Sequence, residues 1–355
     1  MRMQAFLASW RVRAKLSFER NHEETDYRVV LRGGQEMVLS GESKGRVQRL
    51  QRSELAVPAS SESLFDKAAR GPADSLFLDL EDAVAPDQRV AARATAAMAL
   101  QDIDWGDKTV SVRVNGLGTI WGLDDLLAVA RCPRLDMVLI PKVETPDDVI
   151  FVDRLLGEME LAVPRETPLG IEILIETTKG LANVEAIAAC SKRLEGIVFG
   201  VGDYSVELQN FDLEFGSPSE DYAVRTPDGA LHWNDQWHFA LARIANACRA
   251  YGLRPIDGPY VNYADVDGYR ASCRRARALG FEGKWAIHPS QVSLANEEFA
   301  PRPEHVRWAR DIQAKMAQAD AEGRGAIGLG GVLIDRAHVK LAERILCRAA
   351  LAEQR

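Results

Sequence analysis

Eight short apolar runs, each followed by a longer segment with helical spacing, are the feature that most restricts the fold of this chain. Within the runs the apolar residues are mostly continuous rather than alternating, which is typical of parallel strands covered on both faces. Eight strand–helix units over about 240 residues predict a (β/α)8 TIM barrel. The runs are LAVP at 55–58, SLFLDLED at 75–82, TVSVRVNG at 109–116, MVLIPKV at 137–143, GIEILIET at 170–177, GIVFGVGDY at 196–204, RPIDGPY at 254–260 and KWAIHP at 284–289.

The main alternative fold is a doubly wound open sheet, but no GxGxxG pattern follows the first run, as the dinucleotide-binding sheets of that class would show. After the last run, residues 303–320 have helical spacing, and a glycine-rich stretch at 322–331 precedes a final predicted helix. A segment of this kind beyond a closed barrel is a candidate lid. The predicted domains are a loosely ordered N-terminal extension over 1–53, the barrel over 54–300 and a C-terminal helical segment or lid over 301–355.

Charge, hydropathy and cysteine usage argue against several classes of protein. The 44 Lys and Arg residues against 52 Asp and Glu residues give a net charge of −8, which argues against general nucleic-acid binding. No apolar run reaches the roughly 18 residues that a membrane span needs, so no membrane partner is expected. The five cysteines are widely separated and contain no CxxC pair, which favours reduced thiols and a cytoplasmic location.

Nearly every apolar run ends in a polar or charged residue, and the carboxyl ends of barrel strands meet at one rim, where the active sites of such barrels lie. Glu176 and Asp203 end successive runs and are expected to face the same cavity. Two close carboxylates need either a shared proton or a bridging cation, and an oxygen-only ligand set suits Mg²⁺. The alternative is that both form ion pairs at the barrel end, with Arg113 and Lys142 as partners.

Four further rim residues have candidate roles. Glu81 and Asp82 could hold metal-bound waters, while Asp82 could equally be the N-cap of the helix expected near residue 87. Arg113 could clamp a substrate carboxylate or stabilise a developing oxyanion, and buried ion pairing is its structural alternative. His288 precedes a proline at the mouth of the eighth strand, and a single histidine of this kind predicts only a contact.

Long motifs also make the chain similar to a known superfamily. They are RSELAVPAS, LFLDLEDAVAPD, VRVNGL, LDMVLIPKVETPDDV, LIETTKGLANVEAIA, FGVGDY, YGLRPIDGP and GFEGKWAIHPSQVSLANEEFAP. Over roughly residues 50–352 the chain resembles the citrate lyase β-subunit/HpcH aldolase superfamily, and within it the malyl-CoA lyases most. The DWG at 104–106 and the HWNDQWHF at 232–239 add to that likeness.

The resemblance implies a (β/α)8 barrel that binds Mg²⁺, with Mn²⁺ as an alternative ion, and whose partners are an acyl-CoA and a glyoxylate-type acid. It implies reversible cleavage of a 3-hydroxyacyl-CoA: malyl-CoA to glyoxylate and acetyl-CoA, or β-methylmalyl-CoA to glyoxylate and propionyl-CoA. It also implies a homo-oligomer, a trimer or a dimer of trimers, whose sites are shared between subunits.

Individual roles follow from the resemblance position by position. It implies metal binding by Glu176 and Asp203 and substrate clamping by Arg113. Asp335 matches the position of a catalytic carboxylate that reaches into a neighbouring subunit's site. The other substrate-binding positions that the resemblance implies are Ala56, Ser61, Lys67, Gly202, Asp203, Ile287 and His288.

Several segments depart from the family pattern. Ala59 replaces a glycine of the usual VPGS motif, and Ser61 stands where some members have a phosphate-binding arginine. The loop at 205–222 and the VNYAD at 261–265 also differ, which puts the acyl substrate in question more than the reaction class. A malyl-CoA thioesterase and a citrate lyase β-subunit-like lyase acting on another acyl-CoA or hydroxy acid remain alternatives. An inactive binding protein is disfavoured, because all residues with implied catalytic or metal roles are present.

Overall fold

The structure, a computed structural model, describes residues 26–30, 36–40, 47, 49–211, 214–232 and 234–353. Its strands are β1 (Asp26–Val30), β2 (Glu36–Ser40), β3 (Ser53–Pro58), β4 (Ser75–Asp79), β5 (Thr109–Arg113), β6 (Met137–Ile140), β7 (Gly170–Ile175), β8 (Leu194–Phe199), β9 (Val224–Arg225), β10 (Leu231–His232), β11 (Arg254–Asp257), β12 (Gly283–Ala286), β13 (Ile327–Leu329) and β14 (Val332–Ile334). Its α-helices are α1 (Phe65–Arg70), α2 (Arg89–Asp102), α3 (Gly122–Val129), α4 (Pro146–Ala162), α5 (Thr178–Ala182), α6 (Val184–Ala189), α7 (Val201–Glu207), α8 (His238–Ala250), α9 (Val266–Ala278), α10 (Pro289–Phe299), α11 (Pro303–Ala321) and α12 (Arg336–Glu353).

Eight of these strands close into a parallel barrel, which confirms the predicted (β/α)8 fold. The order around the barrel is β3, β4, β5, β6, β7, β8, β11 and β12, and β12 pairs with β3 to complete the ring. Each of the eight apolar runs forms one barrel strand. All but the first of these strands end before their runs do, and the last residues of those runs lie beyond the strand ends.

Alternation along the strands divides the core into an outer and an inner part. In β4, Leu76 and Leu78 belong to the large cluster shared with the helices, whereas Phe77 belongs to the cluster inside the barrel. The inner cluster is Phe77, Leu139, Leu174, Val198, Ile256 and Trp285, with Ala56 packed against it. Buried polar residues that face the barrel interior lie on either side of this apolar layer. Towards the amino ends of the strands these are Glu54 and Glu172. Towards the carboxyl ends they are Asp79, Arg113 and Glu176.

The sixth barrel strand ends earlier than the sequence predicts. The run at 196–204 predicts that Asp203 ends a strand, but β8 stops at Phe199 and Asp203 lies in the first turn of α7. Gly200 permits this break, because a Cβ atom there would lie 2.4 Å from the Cβ of Glu176. The backbone passes so close to the preceding strand end that only glycine fits without a shift.

Residues 49–53 belong to the barrel rather than to a loose extension. Arg49 donates two hydrogen bonds to Glu195, at 2.7 and 3.2 Å, and the buried side chain of Gln51 donates to Glu172 at 2.8 Å. These contacts tie the segment before β3 to the amino end of the barrel. Apart from β1, β2 and residue 47, the rest of the predicted extension lies outside the described residues.

The described residues divide into two compact units: those within 45–299, which include the barrel, and those within 1–44 together with 300–353. In the second unit, α11 and α12 pack on each other around a small core that includes Ile312, Met316 and Ile334. The glycine-rich stretch leads into a hairpin of β13 and β14. The predicted C-terminal helices are therefore present, while their role as a lid stays a prediction. Neither these helices nor any other described helix is long and apolar enough to cross a membrane.

The loop after α7 and the loop after β11 lie against each other. The backbone N–H of Val261 donates to the carbonyl of Phe215 at 3.2 Å. Gly216 has a φ of 90°, and a Cβ there would lie 2.6 Å from the carbonyl oxygen of Pro259. The loop after α7 and the loop after β11 are therefore in close contact.

Candidate active site

The candidate site lies at the carboxyl ends of β4 to β8 and is centred on Arg113, the last residue of β5. Asp79, the last residue of β4, is its partner in register. The guanidinium donates to both oxygens of Asp79, from Nε at 2.7 Å and from Nη2 at 2.6 Å. A third bond runs from Nη1 to Asp82 at 3.1 Å. These three bonds use three of the five N–H groups of the arginine.

The guanidinium of Arg113 is both buried and strongly paired. Its central carbon lies 5.8 Å from the ring centre of Phe77 and 5.6 Å from that of Trp285, at the top of the inner apolar layer. Burial disfavours its charge, but Asp79, Glu81 and Asp82 outweigh burial and hold the pKa of Arg113 above its ordinary value. Arg113 therefore keeps a fixed positive charge at the floor of the site.

Asp79 was not selected from the sequence, although it organises the whole turn after β4. Besides binding Arg113, its carboxylate accepts the backbone N–H groups of Glu81 at 3.0 Å and Ala83 at 3.1 Å. Asp82 bonds to Arg113, and the N-cap of the following α2 is Gln88, so the N-cap alternative for Asp82 is wrong. The sequence signal that could have identified Asp79 is its spacing: it lies two residues after Phe77 on the same strand, so both side chains face the inside of the barrel.

Lys142 joins the acidic residues of the rim. It follows β6 with a φ of 53°, and its backbone N–H donates to Glu176 Oε1 at 2.8 Å. Its ammonium lies 2.8 Å from Glu81 Oε1 and 3.1 Å from Asp203 Oδ2. The sequence marked Lys142 only as a potential ion-pair partner, and nothing in the apolar run indicated its left-handed backbone.

Glu176 is the most enclosed of the predicted metal ligands, with only 3% of the residue exposed. Burial is the largest cause that raises its pKa to about 8, repulsion from Glu81 and Asp203 adds to it, and Arg113 and Lys142 act in the opposite direction. Asp203 is more open, since 42% of its side chain is exposed. The pair thus combines one rigid, buried carboxylate with one accessible carboxylate.

Taken together, five carboxylates surround two cations in this site. The carboxylates are Asp79, Glu81, Asp82, Glu176 and Asp203, and the cations are Arg113 and Lys142. Glu81 is buried, and its Oε2 has no hydrogen-bond partner although Arg113 lies 3.1 Å away as an ion pair. Burial raises the pKa of Glu81, and Arg113 and Lys142 offset only part of this effect.

This donor set fits a hard divalent cation. The excess of carboxylates attracts positive charge, and oxygen donors suit Mg²⁺, which keeps several waters and takes only one or two protein carboxylates. Among the described residues, no group of three His, Cys, Asp or Glu side chains is arranged to hold a metal ion. A water or a substrate oxygen at such an ion could satisfy the unpaired oxygen of Glu81.

Comparison with known proteins decides the family. The family model for HpcH/HpaI aldolase/citrate lyase matches residues 52–289, which contain all eight barrel strands. The chain belongs to the HpcH/HpaI aldolase/citrate lyase family. Membership confirms the predicted superfamily and makes the protein a carbon–carbon lyase by class.

Relatives within the HpcH/HpaI aldolase/citrate lyase family extend the similarity beyond the barrel. L-malyl-CoA/beta-methylmalyl-CoA lyase of Cereibacter sphaeroides is 45% identical over 306 residues, which cover 85% of this chain and 96% of that protein. (3S)-malyl-CoA thioesterase of the same species is 34% identical over 298 residues, covering 84% of this chain and 94% of that protein. The crystal structure of CitE from Mycobacterium tuberculosis in complex with magnesium, acetoacetate and coenzyme A is 29% identical, with a TM-score of 0.65, and the match covers 84% of this chain and 98% of that chain.

The remaining predicted substrate-binding residues lie on β3, in the loop after it, on α1 and α7, and directly after β12. Ala56 on β3 is half-buried against the inner apolar layer, and Ser61 precedes a 3-10 helix at Glu62–Leu64. Lys67 is an exposed residue of α1. Gly202 lies in the first turn of α7, where a Cβ would lie 3.6 Å from the ring of Phe215.

Ile287 and His288 follow β12 and are exposed. The imidazole of His288 stacks on the ring of Tyr263, with centroids 4.6 Å apart and an interplanar angle of 19°. Its Nδ1 lies 2.8 Å from the hydroxyl of Ser290. These contacts hold the imidazole in place, and its predicted contact with substrate stays a prediction.

Asp335 belongs to the second compact unit, directly after β14. Its Oδ1 lies 2.9 Å from Nδ1 of His338 and accepts the backbone N–H of Ala337 at 3.0 Å. The hydrogen bond with His338 is the main cause that lowers the pKa of Asp335. Half of the side chain is exposed, which leaves the carboxylate open to an incoming group.

Proposed function

We propose that this protein is a Mg²⁺-dependent lyase that reversibly cleaves a 3-hydroxyacyl-CoA. The favoured reaction is cleavage of malyl-CoA to glyoxylate and acetyl-CoA, and cleavage of β-methylmalyl-CoA to glyoxylate and propionyl-CoA is its close variant. The single observation that carries the proposal is the cluster of five carboxylates, Arg113 and Lys142 at the carboxyl rim of a family barrel. The 45% identity to a lyase named for these two substrates supports the choice of thioester.

Glu176 and Asp203 are the proposed metal ligands, with Glu81 and Asp82 holding metal-bound waters. When bound, Mg²⁺, or Mn²⁺ in its place, would supply Lewis acidity to the carbonyl oxygen of the two-carbon acid. The magnesium in the crystal structure of the M. tuberculosis relative supports this ion. The backbone N–H of Lys142 orients Glu176 for this role.

Arg113 would orient the substrate and offset the negative charge that develops during the reaction. Asp79 fixes the guanidinium plane through two bonds, so its remaining N–H groups are directed before the substrate arrives. Such fixed donors need no reorganisation as charge develops on the enolate and alkoxide oxygens.

Asp335 is the proposed general base in the condensation direction. Its carboxylate would take a proton from the methyl carbon of acetyl-CoA, and that carbon would form the new bond to the aldehyde carbon of glyoxylate. The alkoxide oxygen formed from the aldehyde would take up a proton from solvent. In the cleavage direction the hydroxyl gives up that proton, the same carbon–carbon bond breaks and Asp335 returns its proton to the carbon. We propose that it acts in the site of a neighbouring subunit of a homo-oligomer, a trimer or a dimer of trimers.

The acyl-CoA would pass along the rim. Ala56, Ser61, Lys67, Gly202, Ile287 and His288 are its proposed contacts, with the exposed ammonium of Lys67 suited to a phosphate. A cytoplasmic location is part of the same proposal, because coenzyme A thioesters and reduced thiols coexist there, and Cys248 and Cys273 are free thiols.

Hydrolysis of the thioester is the second candidate function. The 34% identity to (3S)-malyl-CoA thioesterase favours it, and the same acidic rim could serve a water instead of a carbon nucleophile. Cleavage of another acyl-CoA or hydroxy acid by a citrate lyase β-subunit-like reaction is the remaining substrate variant.

The test is to incubate purified protein with Mg²⁺ and malyl-CoA, following products by mass and free thiol by a colorimetric reagent. The proposed lyase yields glyoxylate and acetyl-CoA in equal amounts without free thiol, and EDTA stops the reaction until Mg²⁺ is restored. Malate and free coenzyme A would instead show a thioesterase. No turnover of malyl-CoA or β-methylmalyl-CoA by folded, metal-binding protein would reject this substrate class.

A further inference from the structure

Lys142 has a backbone conformation that a side-chain-bearing residue rarely adopts. Its φ of 53° lies in the left-handed region, where among the described non-glycine residues only Gln209 joins it. Such a conformation persists where the surroundings fix it, and it clusters at functional sites. Here the hydrogen bond from the Lys142 N–H to Glu176 Oε1, at 2.8 Å, fixes it, so one residue both holds a metal ligand and extends its side chain over the site.

The Lys142 ammonium lies where a positive charge is most needed. It is 2.8 Å from Glu81, 3.1 Å from Asp203 and 4.0 Å from Asp82, so it bridges carboxylates delivered by β4 and α7. Arg113 neutralises the opposite, buried side of the cluster through Asp79. Within the described part of the site, Lys142 is the cation on the accessible side.

Lys142 contacts Glu176 through its backbone and Asp203 through its ammonium, and the second contact is the easier one to break. The backbone N–H of Lys142 binds Glu176, and this backbone cannot move without disturbing the end of β6. Asp203 is bound by the ammonium at the end of a four-carbon stem that is 43% exposed and can rotate. A divalent ion approaching Asp203 would repel the ammonium, because two cations within a few ångströms of each other on one carboxylate are strongly unfavourable.

We propose that Lys142 is the counter-cation of this carboxylate cluster in the metal-free protein and that a divalent cation displaces its ammonium from Asp203 on binding. Lys142 remains paired with Glu81 after the exchange. Lys142 is thus a positioning residue that sets the metal affinity: it holds the carboxylates together before the ion arrives and competes with the ion for Asp203. This inference rests on the proposed metal site.

The test is calorimetric titration of Mg²⁺ into wild type, Lys142→Met, Lys142→Arg and Lys179→Met. Removal of one positive charge beside the ion should tighten Mg²⁺ binding about tenfold in Lys142→Met. Lys142→Arg keeps the charge and should stay near wild type. Lys179→Met is the matched control, because Lys179 pairs at 2.9 Å with Glu144, a carboxylate that is not one of the five in the cluster. Weaker or unchanged Mg²⁺ binding by Lys142→Met would overturn the proposal.

A measurement on the unaltered protein keeps the test independent of the folding of any variant. Lysines are labelled with an amine-reactive acylating reagent with and without Mg²⁺, and each site is quantified by peptide mass spectrometry. Displacement from Asp203 should increase labelling of Lys142 severalfold when Mg²⁺ is added and leave Lys179 unchanged. Equal labelling of Lys142 despite bound Mg²⁺ would overturn the displacement, whereas absence of any Mg²⁺ binding by wild type would instead reject the proposed metal site.

Discussion

At the residue scale, the site depends on how Arg113 is held. A lone buried arginine is costly, but Asp79 accepts two parallel N–H groups from it, and this geometry fixes the plane as well as the charge of the guanidinium. The same carboxylate anchors the turn that carries Glu81. One aspartate therefore sets the positions of a cation and of an acidic neighbour.

Arg113→Lys tests this orientation. The lysine keeps the charge but cannot make two parallel bonds to Asp79, so we expect turnover to fall by roughly 10²-fold, the scale for loss of one directed donor at a reacting oxygen. Initial rates of malyl-CoA cleavage at saturating substrate check the effect, and thermal unfolding shows whether the variant folds. A folded variant with rates within twofold of wild type would show that orientation is unimportant.

At the scale of elements, close approach between strand ends gives the site its rigidity. Gly200 lets β8 end directly against Glu176, and Gly258 does the same after β11, where a Cβ would collide with the carbonyl of Phe199. Neither position tolerates a side chain without moving backbone, so the rim is fixed by backbone packing rather than by side chains alone.

The substitution Gly200→Ala tests whether the close approach of the backbone to Glu176 keeps the site rigid. The new methyl group would lie 2.4 Å from the Cβ of Glu176, and we expect a loss of about 1–3 kcal/mol in the free energy of unfolding, together with weaker Mg²⁺ binding as Glu176 shifts. Denaturant unfolding and calorimetry check both quantities. Gly118→Ala is the control, because a Cβ there meets nothing within 4 Å. Wild-type Mg²⁺ binding by Gly200→Ala would contradict the assigned packing.

Strands β3 and β7 also place two acids inside the amino end of the barrel. Glu54 and Glu172 are both 0% exposed, and Glu54 Oε1 and Glu172 Oε2 have no ordinary hydrogen-bond partner. A proton shared between the two carboxyls would satisfy both atoms. Burial, then the charge of Glu172, raises the pKa of Glu54 well above its ordinary value. The other groups facing the pair are Gln51, Trp285, Arg254 and Glu195.

The shared proton predicts a pH-dependent stability. The folded protein keeps a proton that the unfolded chain releases above about pH 4.5, so the free energy of unfolding should fall as pH rises, by up to about 1.4 kcal/mol per pH unit. Glu54→Gln stays neutral and should lose this slope, becoming more stable relative to wild type at higher pH. Urea unfolding from pH 5 to 8 checks it, with exposed Glu158→Gln as control. Parallel profiles for wild type and Glu54→Gln would rule out the shared proton.

At the scale of the whole molecule, the proposed base and the proposed metal ligands belong to different compact units. If Asp335 acts in a neighbouring subunit, a mixed oligomer of Asp335→Asn and Arg113→Ala chains contains some intact sites. We expect each variant alone to be nearly inactive and the co-expressed mixture to recover measurable activity. Mixing after purification without subunit exchange is the control, and a mixed oligomer without recovery would place each site within one chain.

Much of this architecture follows from the sequence pattern. Continuous apolar runs predicted all eight barrel strands, because strands covered on both faces carry their signal locally. The ends of those strands were less predictable. The apolar run at 196–204 continues past the end of β8, so the sequence pattern did not show that Asp203 lies in a helix. That break depends on the approach of Gly200 to Glu176, which is a contact between segments distant in the chain.

The same limit applies to the site. Arg113, Glu176, Asp203, Glu81 and Asp82 could be selected because strand ends converge in a barrel. Asp79 and Lys142 could not be ranked among the other charged residues, since their importance depends on the register of β4 with β5 and on a left-handed backbone after β6. Metal and substrate roles for all these residues stay predictions that the experiments above address.

The most direct test of the central claim is the condensation reaction. Purified protein is incubated with Mg²⁺, acetyl-CoA and glyoxylate, and the products are followed by mass, alongside Glu176→Gln and an EDTA-treated sample. The proposed mechanism predicts malyl-CoA in the wild-type sample only. Acetyl-CoA left intact by folded, Mg²⁺-bound wild type, or malyl-CoA formed equally by Glu176→Gln, would contradict the assignment of carbon–carbon lyase chemistry to this carboxylate cluster.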